Sequence, residues 1–163
     1  MGSLICELTL GQLRTADILV TKSKSVNSAA IRAATCSPFS HALLMISPNR
    51  AIEAITSGGV MRKELQDLRD QARDGQGKIL VLRHRSLSCE QGRQVASYAL
   101  QQTGKGYDTL GAVRSAYATG CKTQKFNPLL IKIAIVDEYG KLTNETHDKT
   151  FYCSELVARA FEQ

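Results

Sequence analysis

The sequence predicts an α+β domain, and three observations carry that expectation. Four apolar runs, at 18–21, 41–46, 51–55 and 79–82, have the length of strands rather than helices. Two other segments, from Cys89 and from Cys153, repeat their apolar residues at the spacing of a helix face. Only Ser47-Pro48-Asn49-Arg50 separates the second run from the third, which joins them as a hairpin. At 163 residues the chain is long enough to bury a core of its own, and it contains no linker or repeat, so residues 1–163 are expected to form one domain.

The elements follow in order. After a short lead-in, Ile18 to Thr21 is a compact apolar run with the character of a buried strand. Ser28 is placed to cap a short helix through Ala29, Ala30, Ile31, Ala33 and Ala34, which Pro38 must end. His41 to Ile46 and Ala51 to Ile55 form the hairpin, whose second strand has one interior polar residue, Glu53. Gly58-Gly59 breaks the chain, Arg62 to Ala72 reads as an exposed helix, and Lys78 to Arg83 as a further buried strand. Ser88 and Gln91 have the spacing of a capping box before a helix with Val95, Tyr98, Ala99 and Leu100 that should stop near Gly104. The segment 109–150 fits no single pattern: Leu129 to Val136 suits a strand or a helix, Asn144 to Lys149 is polar loop, and the whole reads as an insertion.

Composition excludes several classes. No stretch approaches the ~20 apolar residues of a membrane span, and the N-terminus lacks the pattern of a signal peptide, so the chain is expected to be made in the cytoplasm. Twenty-one Lys and Arg against fifteen Asp and Glu give a net charge of +6, a mild bias toward anionic surfaces. With no dense basic run and no tryptophan to stack on bases, nucleic acid is not an expected partner. The cysteines, Cys6, Cys36, Cys89, Cys121 and Cys153, are odd in number and include no C-x-x-C pair, which speaks against a disulfide framework and a zinc site alike.

Cys153 opens the last helix. A thiol there faces unpaired backbone N–H groups and the positive end of the helix dipole, both of which favour thiolate. Leu156, Val157 and Ala160 follow at i+3, i+4 and i+7, so the sulfur also lies at the end of the inward face, where a small buried hydrophobe would serve equally well. A nucleophile needs a base. Of the three histidines, His84 and His147 sit in charged or loop-like contexts, while His41 opens an apolar strand and stands where an imidazole at a sheet rim can reach such a thiol. Glu53, among Ala51, Ile52, Ala54 and Ile55, is costly to bury without a partner, and His41 one strand away is a natural one. The hairpin sets a condition on that pairing: a symmetric loop at 47–50 would pair Leu44 with Glu53 and put His41 and Glu53 on opposite faces. Only an odd loop or a bulge brings them to one face.

With these residues the chain resembles the circularly permuted, YiiX-like (DUF830) branch of the NlpC/P60 cysteine peptidases. The resemblance runs through Ala16-Asp17-Ile18-Leu19-Val20, Ser37-Pro38-Phe39-Ser40-His41-Ala42, Ala51-Ile52-Glu53-Ala54, Gly104-Lys105-Gly106-Tyr107-Asp108 and Phe151-Tyr152-Cys153-Ser154-Glu155-Leu156-Val157, in that order, with the histidine block first and the cysteine last. It implies a papain-like fold, an antiparallel sheet packed against the helix that carries the nucleophile. By the same resemblance Cys153 would be the nucleophile, His41 the general base and acid, Glu53 the residue orienting His41, and Tyr107 and Tyr152 would line the substrate or oxyanion region, with no metal or cofactor. Asp17 matches a Gly-Asp strand start, with Ala16 in place of the glycine, and a structural role is expected for it. The activity implied is that of a cysteine peptidase or amidase working through an acyl-enzyme on bacterial peptidoglycan peptides. Without a signal peptide, it would reach cell wall as an antibacterial effector exported by a signal-peptide-independent system, with an immunity protein as partner. The alternatives are acyl-ester chemistry of the lecithin:retinol acyltransferase type, with Leu129 to Val136 as a lipid-facing lid, and a binding module that has lost turnover.

Overall fold

The computed structural model describes residues 9–22, 29, 31–33, 37–71, 79–112 and 150–163. Seven strands are present among them: β1 (Ile18–Thr21), β2 (His41–Ser47), β3 (Arg50–Ile55), β4 (Gly59–Glu64), β5 (Ile79–Leu82), β6 (Gly106–Tyr107) and β7 (Thr150–Phe151). Three longer helices accompany them, α1 (Leu65–Gln71), α2 (Cys89–Gln101) and α3 (Cys153–Phe161), besides a 3-10 turn at Leu10–Gln12 and helical residues at 29, 31–33 and 109–112. The first five strands form one antiparallel sheet in the order β4-β3-β2-β1-β5, and β6 pairs in parallel with β7. The architecture is the α+β class expected, an antiparallel sheet with helices packed on it.

Alternation along the strands divides the apolar residues between two faces. On one face Ala42, Leu44, Ile52, Ala54 and Val60 meet Val95 and Ala99 of α2 and Leu156, Val157 and Ala160 of α3. On the other, Leu19, Leu43, Met45 and Ala51 meet Leu13 and the Leu65 and Leu68 side chains of α1. The two hairpin strands are therefore buried on both sides. That is why 41–46 reads as a continuous apolar run rather than an alternating one.

Two expectations are corrected. Arg62 to Ala72 is not one exposed helix: Gly59–Glu64 continues the meander as β4, and the helix is Leu65–Gln71, with Leu65 and Leu68 buried. Met61, Arg62 and Glu64 are exposed on the sheet's edge strand, where charged side chains oppose unwanted pairing, so their polarity mimics that of a surface helix. The run at 79–82 is a strand but not a buried one. It holds the other edge of the sheet, with Leu82 46% exposed. Ser28, Ala30 and Ala34 of the short predicted helix, and all of 113–149 with the Leu129 to Val136 run, lie outside the described residues; Ala29 and residues 31–33 are helical.

Local signals explain the remaining elements. The Ser88 hydroxyl accepts from the Gln91 N–H at 3.1 Å and the Gln91 side chain accepts from the Ser88 N–H at 2.9 Å, completing the capping box that starts α2. That helix ends at Gln101, with Gly104 following at φ +86°. Gly59 also has a positive φ, +66°, and lies so close to the Lys105 carbonyl that a Cβ would overlap it. This contact lets Val60 exchange hydrogen bonds with the chain beyond α2, donating to the Lys105 carbonyl and accepting from the Gly104 N–H, each at 2.8 Å. Ala16 has φ +68°, the left-handed conformation that a glycine would take without cost. Next to it the Asp17 carboxylate, 1% exposed, is held bidentately by Arg83 at 2.7 Å on both oxygens, fastening the start of β1 to the end of β5.

Candidate active site

The histidine and the carboxylate meet because of one extra residue. The turn at Pro48-Asn49 pairs Ser47 with Arg50, a register that carried on regularly would put His41 and Glu53 on opposite faces. Ile46 interrupts it as a bulge. Beyond it Met45 pairs with Ala51 and Leu43 with Glu53, so Glu53 shares a face with Leu43 and hence with His41, two residues earlier on β2. His41 Nε2 lies 2.7 Å from Glu53 Oε2. The Glu53 residue is 4% exposed, and its carboxyl is held below the ordinary glutamate range: burial opposes ionisation, but the His41 hydrogen bond and charge, with Lys63, outweigh it. An ionised carboxylate only accepts, so Nε2 carries the hydrogen and Nδ1 is left for a second partner.

That partner is Cys153. Helix α3 packs on the opposite face of the sheet from Glu53, through Leu156, Val157 and Ala160, and its first residue arrives at the end of β2 where His41 begins the strand. The imidazole bridges the two faces at the strand end, with carboxylate on one side and thiol on the other. Burial pushes the Cys153 thiol up, but its hydrogen bond and charge interaction with His41, and the N–H groups of Ala42 and Ser154 donating to sulfur, bring it net below the usual thiol range. Burial likewise lowers His41, yet its hydrogen bonds to Cys153 and Glu53 and their charges prevail and push it up to about 9. Both shifts favour a thiolate–imidazolium pair.

Helix α3 starts where the sequence placed it. The Glu155 carboxylate accepts from the Tyr152 N–H at 3.4 Å, and Leu156 N–H begins the helical ladder by donating to the Tyr152 carbonyl at 3.0 Å. The parallel pair β6–β7 sets Tyr107 beside Phe151. A cavity of about 230 Å³ is lined by Cys153, Ser154 and His41 together with Tyr107, Tyr152, Phe39 and Val20. The Tyr107 hydroxyl is pushed up chiefly by burial, then by the charges of Cys153 and Asp108, which keeps it a neutral donor.

Of the site residues expected from sequence, then, Cys153, His41, Glu53, Tyr107 and Tyr152 all converge. His84 is exposed and stacks loosely on Phe161, as its charged context suggested, whereas His147 lies outside the described residues. Two residues of this neighbourhood escaped sequence reasoning. Lys63 Nζ lies 3.5 Å from Glu53 Oε1, and recognising 59–64 as a strand would have found it, since Lys63 pairs with Ala51 and so shares the Glu53 face. The Ala42 N–H carries no side-chain signal at all. Among the described residues Cys89, exposed, and Cys153 are free thiols; Cys6, Cys36 and Cys121 lie outside them.

An α+β fold with thiol, imidazole and carboxylate in a row is consistent with a papain-like hydrolase. No family profile matches the chain, but it is 26% identical over 165 residues to the probable lipoprotein peptidase YaeF of Escherichia coli (strain K12), matching 96% of this chain and 58% of that protein. The chain thus spans under two thirds of the length of that curated relative. The crystal structure of the metalloprotein yiiX from Escherichia coli O157:H7 (DUF1105) superposes with a TM-score of 0.57 at 27% identity, over 90% of this chain and 92% of that one. The two matches support the YiiX-like family expected from the sequence, and the description as a peptidase belongs to YaeF. The description as a metalloprotein belongs to yiiX. Among the described residues here, no group of three or more His, Cys, Asp and Glu is arranged to hold a metal ion.

Proposed function

We propose that this protein is a cysteine peptidase or amidase of the permuted NlpC/P60 type, with Cys153 as nucleophile, His41 as base and acid, and Glu53 as the orienting carboxylate. The observation that carries the reading is the position of His41, whose Nε2 lies 2.7 Å from Glu53 Oε2 and which lines one cavity with Cys153, the two interacting strongly enough to shift each other's protonation. The order along the chain, histidine then carboxylate then cysteine, supports the permuted arrangement.

The thiolate attacks a carbonyl carbon presented in the cavity, forming a carbon–sulfur bond and moving the carbonyl electron pair onto oxygen. Backbone N–H groups at the start of α3, with no partner inside the helix, are placed to stabilise that oxyanion. The imidazolium then gives its proton to the leaving amine as the carbon–nitrogen bond breaks. Neutral His41 next removes a proton from water, whose oxygen displaces sulfur from the acyl group and frees the acid. Glu53 holds the ring plane and tautomer throughout.

The substrate we propose is an amide in a bacterial cell-wall peptide, with an immunity protein as partner in an antibacterial role. The uncharged side walls of the cavity, Val20, Phe39 and Ala42 among them, favour an acyl ester as the second reading. Incubation with purified peptidoglycan and, separately, with phospholipid vesicles decides between them. Muropeptide fragments that disappear with Cys153→Ala support the first reading and free fatty acid lost with the same variant supports the second. Neither product from the wild type, or products unchanged in the variant, sinks both.

A further inference from the structure

We propose that Lys63 is a positioning residue of this site: from edge strand β4 its ammonium keeps the buried Glu53 carboxylate ionised and turned so that Oε2 faces His41. The proposal rests on the Cys153–His41–Glu53 reading, and it explains how that reading survives a catalytic cycle.

Glu53 is 4% exposed, with one oxygen given to each neighbour: Oε2 is 2.7 Å from His41 Nε2 and Oε1 is 3.5 Å from Lys63 Nζ. Among the described residues these are the titratable groups that face it, His41 from β2 and Lys63 from β4. On β3 itself the other charged residue, Arg50, pairs with Glu64 at the exposed turn end, and on α1 Arg69 pairs with Asp70. A buried carboxylate without a counter-charge takes up a proton instead of remaining an anion. Protonated, it would offer an O–H to Nε2 and turn the imidazole into the tautomer whose Nδ1 already carries hydrogen, unable to accept from Cys153.

His41 cannot prevent this by itself, because its charge alternates: it is a cation before attack and neutral once its proton has gone to the leaving group. Lys63 is the counter-charge that does not change during the reaction. Register places it there, since Glu53 pairs with Met61 and Ala51 with Lys63, which leaves Lys63 diagonal to Glu53 on the same face, within reach of a four-carbon stem.

The test is a titration of the Glu53 side-chain carboxyl carbon by NMR in the full-length, isotope-labelled protein. Lys63→Met should raise its midpoint by about one pH unit, a tenfold weaker acid, and the downfield His41 Nε2 proton should be lost at correspondingly higher pH. Lys63→Arg should restore the wild-type midpoint, which a purely structural role for the alkyl stem would not require. A Glu53 midpoint unmoved in folded Lys63→Met, or in Lys63→Gln if the first variant does not give a native spectrum, overturns the proposal. So does a wild-type Lys63 Nζ resonance that shows no step as Glu53 titrates, a measurement that needs no variant. None of these readouts depends on turnover: if Glu53 responds as expected while Cys153→Ala leaves hydrolysis unchanged, the enzymatic reading fails and the ion pair stands.

Discussion

A thiol below its usual range and an imidazole raised to about 9 define a pH window, and its sign follows from which proton each group holds. Attack requires Cys153 without its proton, so kcat/KM rises as pH climbs through the lowered thiol value. Departure of the amine requires His41 with its proton, so the rate falls as pH passes about 9. Glu53→Gln keeps the shape of the contact but removes the negative charge that helps hold the imidazolium, so the alkaline limb should move toward lower pH and kcat should drop by about a hundredfold. An alkaline limb that stays in place in that variant would remove Glu53 from the triad. Cys153→Ala should cost at least about a thousandfold. The sequence made Cys153 and His41 legible because each stands where its chemistry needs it, at a helix start and at a strand rim. Glu53 was legible as an acid inside an apolar run. What escaped were Lys63, hidden in a strand that reads as a helix, and the Ala42 N–H, which has no side-chain identity.

At the scale of elements, the hairpin and the two helices that bear caps were legible, and β4 was not. Gly59-Val60-Met61-Arg62-Lys63-Glu64 has the polarity of a surface helix because an edge strand must be polar where it meets water, and only its pairing with β3 shows what it is. The same strand offers a sharp test of local geometry. Gly59→Ala would place a Cβ against the Lys105 carbonyl in a left-handed conformation, and it should destabilise the protein by about 2 kcal/mol or more. Ser88→Ala removes one half of a capping box on an exposed turn and should cost only about 1 kcal/mol. Urea denaturation of both variants checks the ranking: equal losses would mean that the close approach at Gly59 relaxes freely.

For the molecule as a whole, the order of the sheet was beyond the sequence, because β1 lies between β2 and β5 and its pairings span long separations that no local signal encodes. The fastening of that arrangement is the Asp17–Arg83 pair, which joins residues 66 apart. Asp17 matched a family strand start and its role was expected to be structural; the partner was invisible. Arg83→Met leaves a carboxylate that is 1% exposed without its cation and should cost about 3 kcal/mol, less than a fully enclosed pair because Arg83 is itself partly exposed. Arg83→Lys, a single ammonium in place of a two-pronged donor, should recover only part of it. Full stability of Arg83→Met in urea would show that the pair is dispensable to the sheet.

The bulge at Ile46 makes the relation between fold and chemistry discontinuous. Removing one residue from β2 would leave the hairpin its apolar partners and its turn, yet exchange which side of the sheet the histidine presents. There is no half-shifted ladder through which a chain could drift from one arrangement to the other. Descendants of such a chain divide cleanly into those whose ring meets an acid and those whose ring meets none, while the outline of the molecule scarcely changes. A single-residue count in this hairpin is therefore a better marker of turnover among such chains than overall likeness of shape.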